Sequence, residues 1–133
     1  MEVGCVLNPV VKEITLQSIQ SYAEVSGDRN PLHCSSDVAD DSLLRGVSAH
    51  GMMTVAFVSQ MMGEAFGEAW LTGGEIEVSF RAPVRPGSTL EIAGSIAERI
   101  VQKDGVVFVC DISCRTRSDE VVATAKTRVL VPW

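Results

Sequence analysis

A carboxylate and an imidazole lie close together in a stiff part of this sequence. Asp28 is followed five residues later by His33, within the turn-rich residues 27–33. Pro31 fixes its own φ angle and favours an extended conformation at Asn30, so this segment can hold the two side chains at a set separation. A shared acid/base site needs such a pair. Either residue alone would be interpreted as a turn aspartate or a surface histidine.

The second candidate feature is Gly51, which follows His50 at the start of a predicted helix. A glycine lets another group approach the backbone closely, and the free amides at a helix N-terminus attract developing negative charge. Such donors stabilise an oxyanion by about 3–4 kcal/mol. Taken alone, Gly51 also fits an ordinary helix start.

The hydropathy pattern predicts a buried helix followed by strands. Residues 51–66 are apolar on nearly all sides of a helical projection, so protein must enclose this helix on most sides. Strict alternation predicts a strand at 75–80 and three later strands, with hairpin turns at 103–105 and 118–120 and an irregular connector at 82–87. At least four consecutive hairpin-linked strands indicate an antiparallel α+β domain whose sheet wraps the helix.

Other segments have less specific patterns. Short helices are predicted at residues 14–25 and 36–44, with Thr15 and Ser36 as their caps. The methionines of the apolar helix are interpreted as core residues, with an acyl tunnel as the alternative. Cys110 and Cys114 are interpreted as buried, reduced thiols.

Length and composition exclude several classes of protein. The 133 residues are assigned to one domain, and 46% apolar with 21% charged residues excludes a disordered chain. A net charge of −6 argues against general nucleic-acid binding, and no run reaches the ~18 apolar residues of a membrane span. The four cysteines lack metal-ligand spacing, and the N-terminus lacks a signal-peptide pattern. We therefore expect a cytoplasmic protein without a metal site.

Two linked motifs resemble the MaoC-like, R-specific enoyl-CoA hydratase family. Residues 22–33 contain its GDxNPxH signature, and residues 49–52 contain its HG helix start. The resemblance covers essentially the whole chain and implies a hotdog fold, in which a five-stranded antiparallel sheet wraps a central apolar helix. One departure is Cys34-Ser35-Ser36, which follows His33 where the family usually has an acidic residue and a proline.

The resemblance implies a role for each matching residue. Asp28 and His33 correspond to the catalytic pair that holds the attacking water. Gly51 corresponds to the residue whose amide binds the thioester oxygen. Ser59 corresponds to a serine that supports the site in close relatives, although it also fits a small polar residue of a buried helix. His50 is assigned a structural role at the helix start.

The expected function is therefore that of a lyase in fatty acid metabolism. It is an (R)-specific hydratase/dehydratase interconverting trans-2-enoyl and (R)-3-hydroxyacyl thioesters of CoA or acyl-carrier protein, without a cofactor. The resemblance also implies a homodimer or a dimer of dimers, with the active site at the subunit interface. One alternative is a hotdog acyl-CoA thioesterase, which does not need the pairing of Asp28 with His33. Another is a non-catalytic hotdog subunit of a hetero-oligomeric dehydratase.

Overall fold

A computed structural model describes residues 1–15, 17 and 51–133 of the chain. The elements in these residues are β1 (Val10–Glu13), α1 (Gly51–Phe66), α2 (Glu68–Gly73), β2 (Glu75–Phe80), β3 (Thr89–Val101), β4 (Gly105–Thr116) and β5 (Val121–Pro132). The predicted helix at 51–66 and strand at 75–80 are confirmed with these bounds. Neither of the two described helices is long and apolar enough to cross a membrane.

The five strands form one antiparallel sheet in the order β1-β3-β4-β5-β2. Short turns join β3 to β4 and β4 to β5, which confirms the two predicted hairpins. The expectation that all the strands are linked by hairpins is wrong at β2, which pairs with β5 instead of β3. The connector after β2 contains Pro83 and Pro86 and has a φ of 89° at Gly87, so it is too irregular for a tight hairpin turn. It carries the chain past β5 and β4.

The inner face of the sheet packs against α1. Alternate side chains of the three long strands form this face: Leu90, Ile92, Ile96, Val106, Phe108, Cys110, Ile112, Cys114, Ala123, Ala125 and Val129. The α1 side chains in the same core are Met53, Val58, Met61 and Met62. This confirms the interpretation of these three methionines as core residues. The packing of a five-stranded antiparallel sheet around α1 confirms the predicted hotdog fold.

One stripe of α1 is not covered. Ala56, Gln60 and Glu64 are exposed at a spacing of four residues, and Gln60 Nε2 donates a hydrogen bond to Glu64 Oε1 at 3.4 Å. Protein therefore encloses the helix on most sides, as predicted, and leaves this narrow stripe open.

The predicted helix at residues 14–25 is wrong at its start. Val10–Glu13 forms β1 beside β3, and Ile14 is fully buried after this strand, outside any helix. Val10 and Ile14 are both buried, and their spacing of four residues fits one face of a strand as well as one turn of a helix. Thr15 also lies outside a helix, as expected of a cap, and residue 17 is helical. Residues 16 and 18–25 of that prediction, like the predicted helix at 36–44, lie outside the described residues.

Candidate active site

Two of the four predicted site residues lie in the described part of the chain, and both are on α1. Gly51 is the first residue of this helix, and Ser59 lies about two turns further along. Asp28 and His33 lie outside the described residues, as does His50. The pairing of Asp28 with His33 therefore stays a prediction.

The amide of Gly51 is at the N-terminal end of α1. The first four N–H groups of a helix have no acceptor within the helix, and they form the positive end of the helix dipole. The first turn of α1 contains no acidic side chain that could compete for these amides. A negatively charged oxygen placed at this helix start would face these N–H groups and the positive end of the dipole.

Gly51 and Ser59 cannot bind the same ligand atom. They are eight residues apart on α1, and a rise of ~1.5 Å per residue separates them by about 12 Å along the helix axis. A donor atom must lie within about 3 Å of the oxygen that it hydrogen-bonds. A ligand oxygen hydrogen-bonded to the Gly51 amide is therefore out of reach of the Ser59 hydroxyl.

The Ser59 hydroxyl accepts a hydrogen bond from the indole of Trp70. The distance from Trp70 Nε1 to Ser59 Oγ is 3.1 Å, and Trp70 is 7% exposed. The chain turns between the helices at Gly67, whose positive φ of 58° favours glycine and whose amide donates to the Gly63 carbonyl at 2.8 Å. This turn places Trp70 on α2 beside a residue eleven positions earlier. Trp70 lies outside both sequence motifs, so the motifs alone do not predict this contact.

Gly74 leaves room for the Trp70 ring. A Cβ atom at position 74 would overlap Trp70 Cε3 and would lie 2.5 Å from Cδ2 and 2.6 Å from the Trp70 carbonyl oxygen. The Gly74 amide also donates to that carbonyl at 2.9 Å, at the end of α2. The position of the indole therefore depends on the absence of a side chain at Gly74.

We expect Gly74→Ala to lower the free energy of unfolding by about 1–3 kcal/mol, because the Trp70 ring must move to admit the methyl group. Gly73→Ala is the matched control, since a Cβ at position 73 has no atom within 4 Å among the contacts described. That substitution is expected to be neutral or slightly stabilising, because alanine is favoured over glycine in a helix. Urea unfolding followed by circular dichroism measures both changes. Equal stability of the two variants would contradict the packing argument.

A second polar contact joins α1 to the sheet. Thr127 of β5 is 1% exposed, and its Oγ1 donates to the sulfur of Met62 at 3.3 Å. Cys110 lies opposite Thr127 in the β4–β5 pairing. Burial raises the pKa of the Cys110 thiol, and it raises the pKa of Cys114 to about 11. Neither thiol is an ionised nucleophile at neutral pH, and both are confirmed as buried core residues.

Comparisons with known proteins agree on one family. The family model described as "MaoC like domain" matches residues 6–113. The 3-hydroxybutyryl-CoA dehydratase of Methylorubrum extorquens is 32% identical, over 91% of this chain and 75% of that protein. The (R)-specific enoyl-CoA hydratase of Rhodospirillum rubrum is 28% identical, over 92% of this chain and 83% of that protein. The solved structure of an unliganded R-hydratase from Pseudomonas aeruginosa has a TM-score of 0.84 and 22% identity, over 99% of this chain and 83% of that one.

Proposed function

Because this chain belongs to the MaoC-like domain family, we propose that it catalyses the reversible, (R)-specific hydration of trans-2-enoyl thioesters. The proposal rests on the names of the two curated relatives described above. One is named for removing water from a 3-hydroxyacyl-CoA and the other for adding water to an enoyl-CoA, which are opposite directions of one type of reaction. Each is matched over more than nine tenths of this chain.

In the proposed reaction, water attacks C3 of the enoyl thioester. Asp28 removes a proton from this water, and His33 orients the water or shares the proton. As the C3–O bond forms, the electrons of the C2=C3 bond move towards the thioester oxygen, and C2 then receives a proton. The Gly51 amide donates a hydrogen bond to the thioester oxygen while it carries negative charge. The position of Gly51 at the start of α1 supports this last role.

The proposal also includes the substrate carrier and the location. The acyl group is carried on CoA or on acyl-carrier protein, and one MaoC-like domain spans residues 1–133. Proton transfer and water addition require no redox cofactor. We place the reaction in the cytoplasm, and the free thiols of the described residues Cys5, Cys110 and Cys114 support a reducing compartment.

The test is an assay with crotonyl-CoA and longer 2-enoyl thioesters. We expect the absorbance of the conjugated enoyl thioester to fall, and chiral analysis of the product to identify the (R)-3-hydroxyacyl thioester. Release of free CoA thiol as the main product would favour the thioesterase instead. Activity that appears only after a second hotdog protein is added would favour the non-catalytic subunit. An (S) product would contradict the proposed stereochemistry.

We further propose that two copies of the chain pair through β2. This strand is at one edge of the sheet and pairs with β5, with no strand on its other side among the described residues. The unpaired N–H and C=O groups of an edge strand favour pairing with another strand. Phe80 at the end of β2 is 56% exposed, and a second copy would cover it. A symmetric contact of this kind produces a homodimer, and two such dimers can assemble further.

We expect sedimentation velocity at micromolar concentration to detect a dimer or a larger assembly. Phe80→Glu is expected to raise the dimer dissociation constant by about tenfold or more, because a charge replaces an apolar contact (about 1.4 kcal/mol per tenfold change). Val11→Glu is the matched control, since Val11 is 52% exposed on β1, at the opposite edge of the sheet from β2. A stable monomer with full activity would contradict both the dimer and an active site at its interface.

A further inference from the structure

We propose that Trp70 is a positioning residue that acts through Ser59. This inference deepens the proposed function and rests on it. The indole N–H of Trp70 donates to Ser59 Oγ at 3.1 Å. An indole nitrogen is a donor only, so the hydroxyl proton of Ser59 cannot point towards Trp70 Nε1. Trp70 therefore occupies an acceptor position of the hydroxyl and directs its proton to another group, which in the proposed enzyme belongs to the site.

The indole also selects among the side-chain rotamers of Ser59. A serine inside a helix commonly donates to the carbonyl four residues earlier, which here belongs to Val55. The bond from Trp70 favours the rotamer in which Oγ faces α2. Without the indole N–H, the hydroxyl gains freedom to rotate and to bond back to its own helix. The loss of Trp70 would then misplace a group that is still present.

Trp70 is held firmly enough to orient another side chain. It belongs to the hydrophobic core, and α2 lies against both α1 and β5. Gly74 admits the ring and donates to the Trp70 backbone carbonyl, so both the ring and the backbone of Trp70 are constrained. A hydrogen-bonded side chain with a packed ring can preorganise the group that it contacts. The competing explanation is purely structural, because a buried indole N–H needs an acceptor wherever it lies.

Kinetics of Trp70→Phe, Ser59→Ala and the double variant separate these explanations. Trp70→Phe removes the N–H donor and keeps an aromatic ring, so we expect kcat for crotonyl-CoA hydration to fall roughly three- to tenfold with little change in KM. Ser59→Ala is expected to lower kcat at least as much. The double variant should match Ser59→Ala, because Trp70 then has no hydroxyl to orient.

Trp133→Phe is the matched control. Trp133 is the last residue of the sequence and is 74% exposed. Its Nε1 donates to the carbonyl of Lys103 at 3.0 Å, so it also makes an indole hydrogen bond, but not to Ser59. The same substitution there is expected to leave kcat unchanged. A folded Trp70→Phe variant with the wild-type kcat would overturn the inference, as would losses in kcat that multiply in the double variant. Either result would leave Trp70 with a structural role only.

A second comparison applies if Trp70→Phe does not fold. Gly74→Ala keeps the indole N–H and displaces the ring, so it should lower kcat in the wild-type background and not in the Ser59→Ala background. An unchanged kcat in the wild-type background overturns the inference, and Gly73→Ala is the control. The wild-type rate separates this inference from the proposed function. If the wild type hydrates no enoyl thioester the proposed function fails, whereas an active wild type with silent Trp70 and Gly74 variants contradicts the inference alone.

Discussion

Asp28→Asn and His33→Ala are each expected to reduce the rate of crotonyl-CoA hydration by about 10²–10⁴-fold. Asn keeps the size of the aspartate side chain but cannot take a proton from water near neutral pH. His33→Ala removes the second contact to the same water. Because both groups act on one water as a unit, the double variant is expected to be barely slower than the slower single variant.

The control for these variants is Asp104→Asn, which removes the same charge from the exposed turn between β3 and β4. It is expected to retain the wild-type rate. Circular dichroism of the variants checks that the fold is intact, and a thiol assay checks for thioester hydrolysis. A His33→Ala enzyme with a near-wild-type rate, or losses that multiply in the double variant, would contradict the shared acid/base site.

The helix and the later strands could be predicted because their patterns are long and local. Residues 51–66 have the apolar character of a buried helix, and the structure has α1 at these bounds. Val106, Phe108 and Cys110 alternate with the other side chains of β4, and all three belong to the core. A period that is sustained over many residues distinguishes a helix from a strand.

Contacts between distant parts of the chain could not be predicted in this way. Alternation predicts the face on which a side chain lies, but it does not identify the neighbouring strand, so it does not predict the pairing of β2 with β5. Val107 is 1% exposed although it lies outside the core cluster. Its cross-strand neighbours are Ile100 and Leu130, one on each side. Its burial depends on the sheet order, which alternation does not encode.

The candidate site shows the same difference between local patterns, which the sequence predicts, and contacts between distant residues, which it does not. The start of α1 at Gly51 agrees with the predicted helix, whereas the roles of Asp28 and His33 rest on the motif alone. The bond from Trp70 to Ser59 depends on the turn at Gly67, so a motif that contains only the serine does not reveal its partner. The sequence does contain one indication of this contact, which is a tryptophan shortly after an apolar helix. A buried indole N–H requires an acceptor, and a polar side chain of that helix can provide one.

Gly51→Val is expected to lower kcat by about 10²–10³-fold, the range found when one oxyanion donor is lost. A β-branched side chain at the first residue of α1 would keep the thioester oxygen away from the backbone amide. Valine is not a worse helix former than glycine, so the free energy of unfolding should change little. The expected result is therefore a folded protein that binds its substrate in a position where charge on the thioester oxygen is not stabilised.

Gly63→Val is the matched control for Gly51→Val, since it makes the same change on the same helix. Position 63 is in the last turn of α1, and a Cβ there meets no atom within 4 Å among the described contacts. We expect this control to keep its activity, so that any general effect of valine on α1 appears in both variants and cancels in the comparison. Crotonyl-CoA hydration kinetics and urea unfolding are measured on both proteins. An unchanged kcat/KM in Gly51→Val would show that the thioester oxygen is stabilised by a donor other than the Gly51 amide.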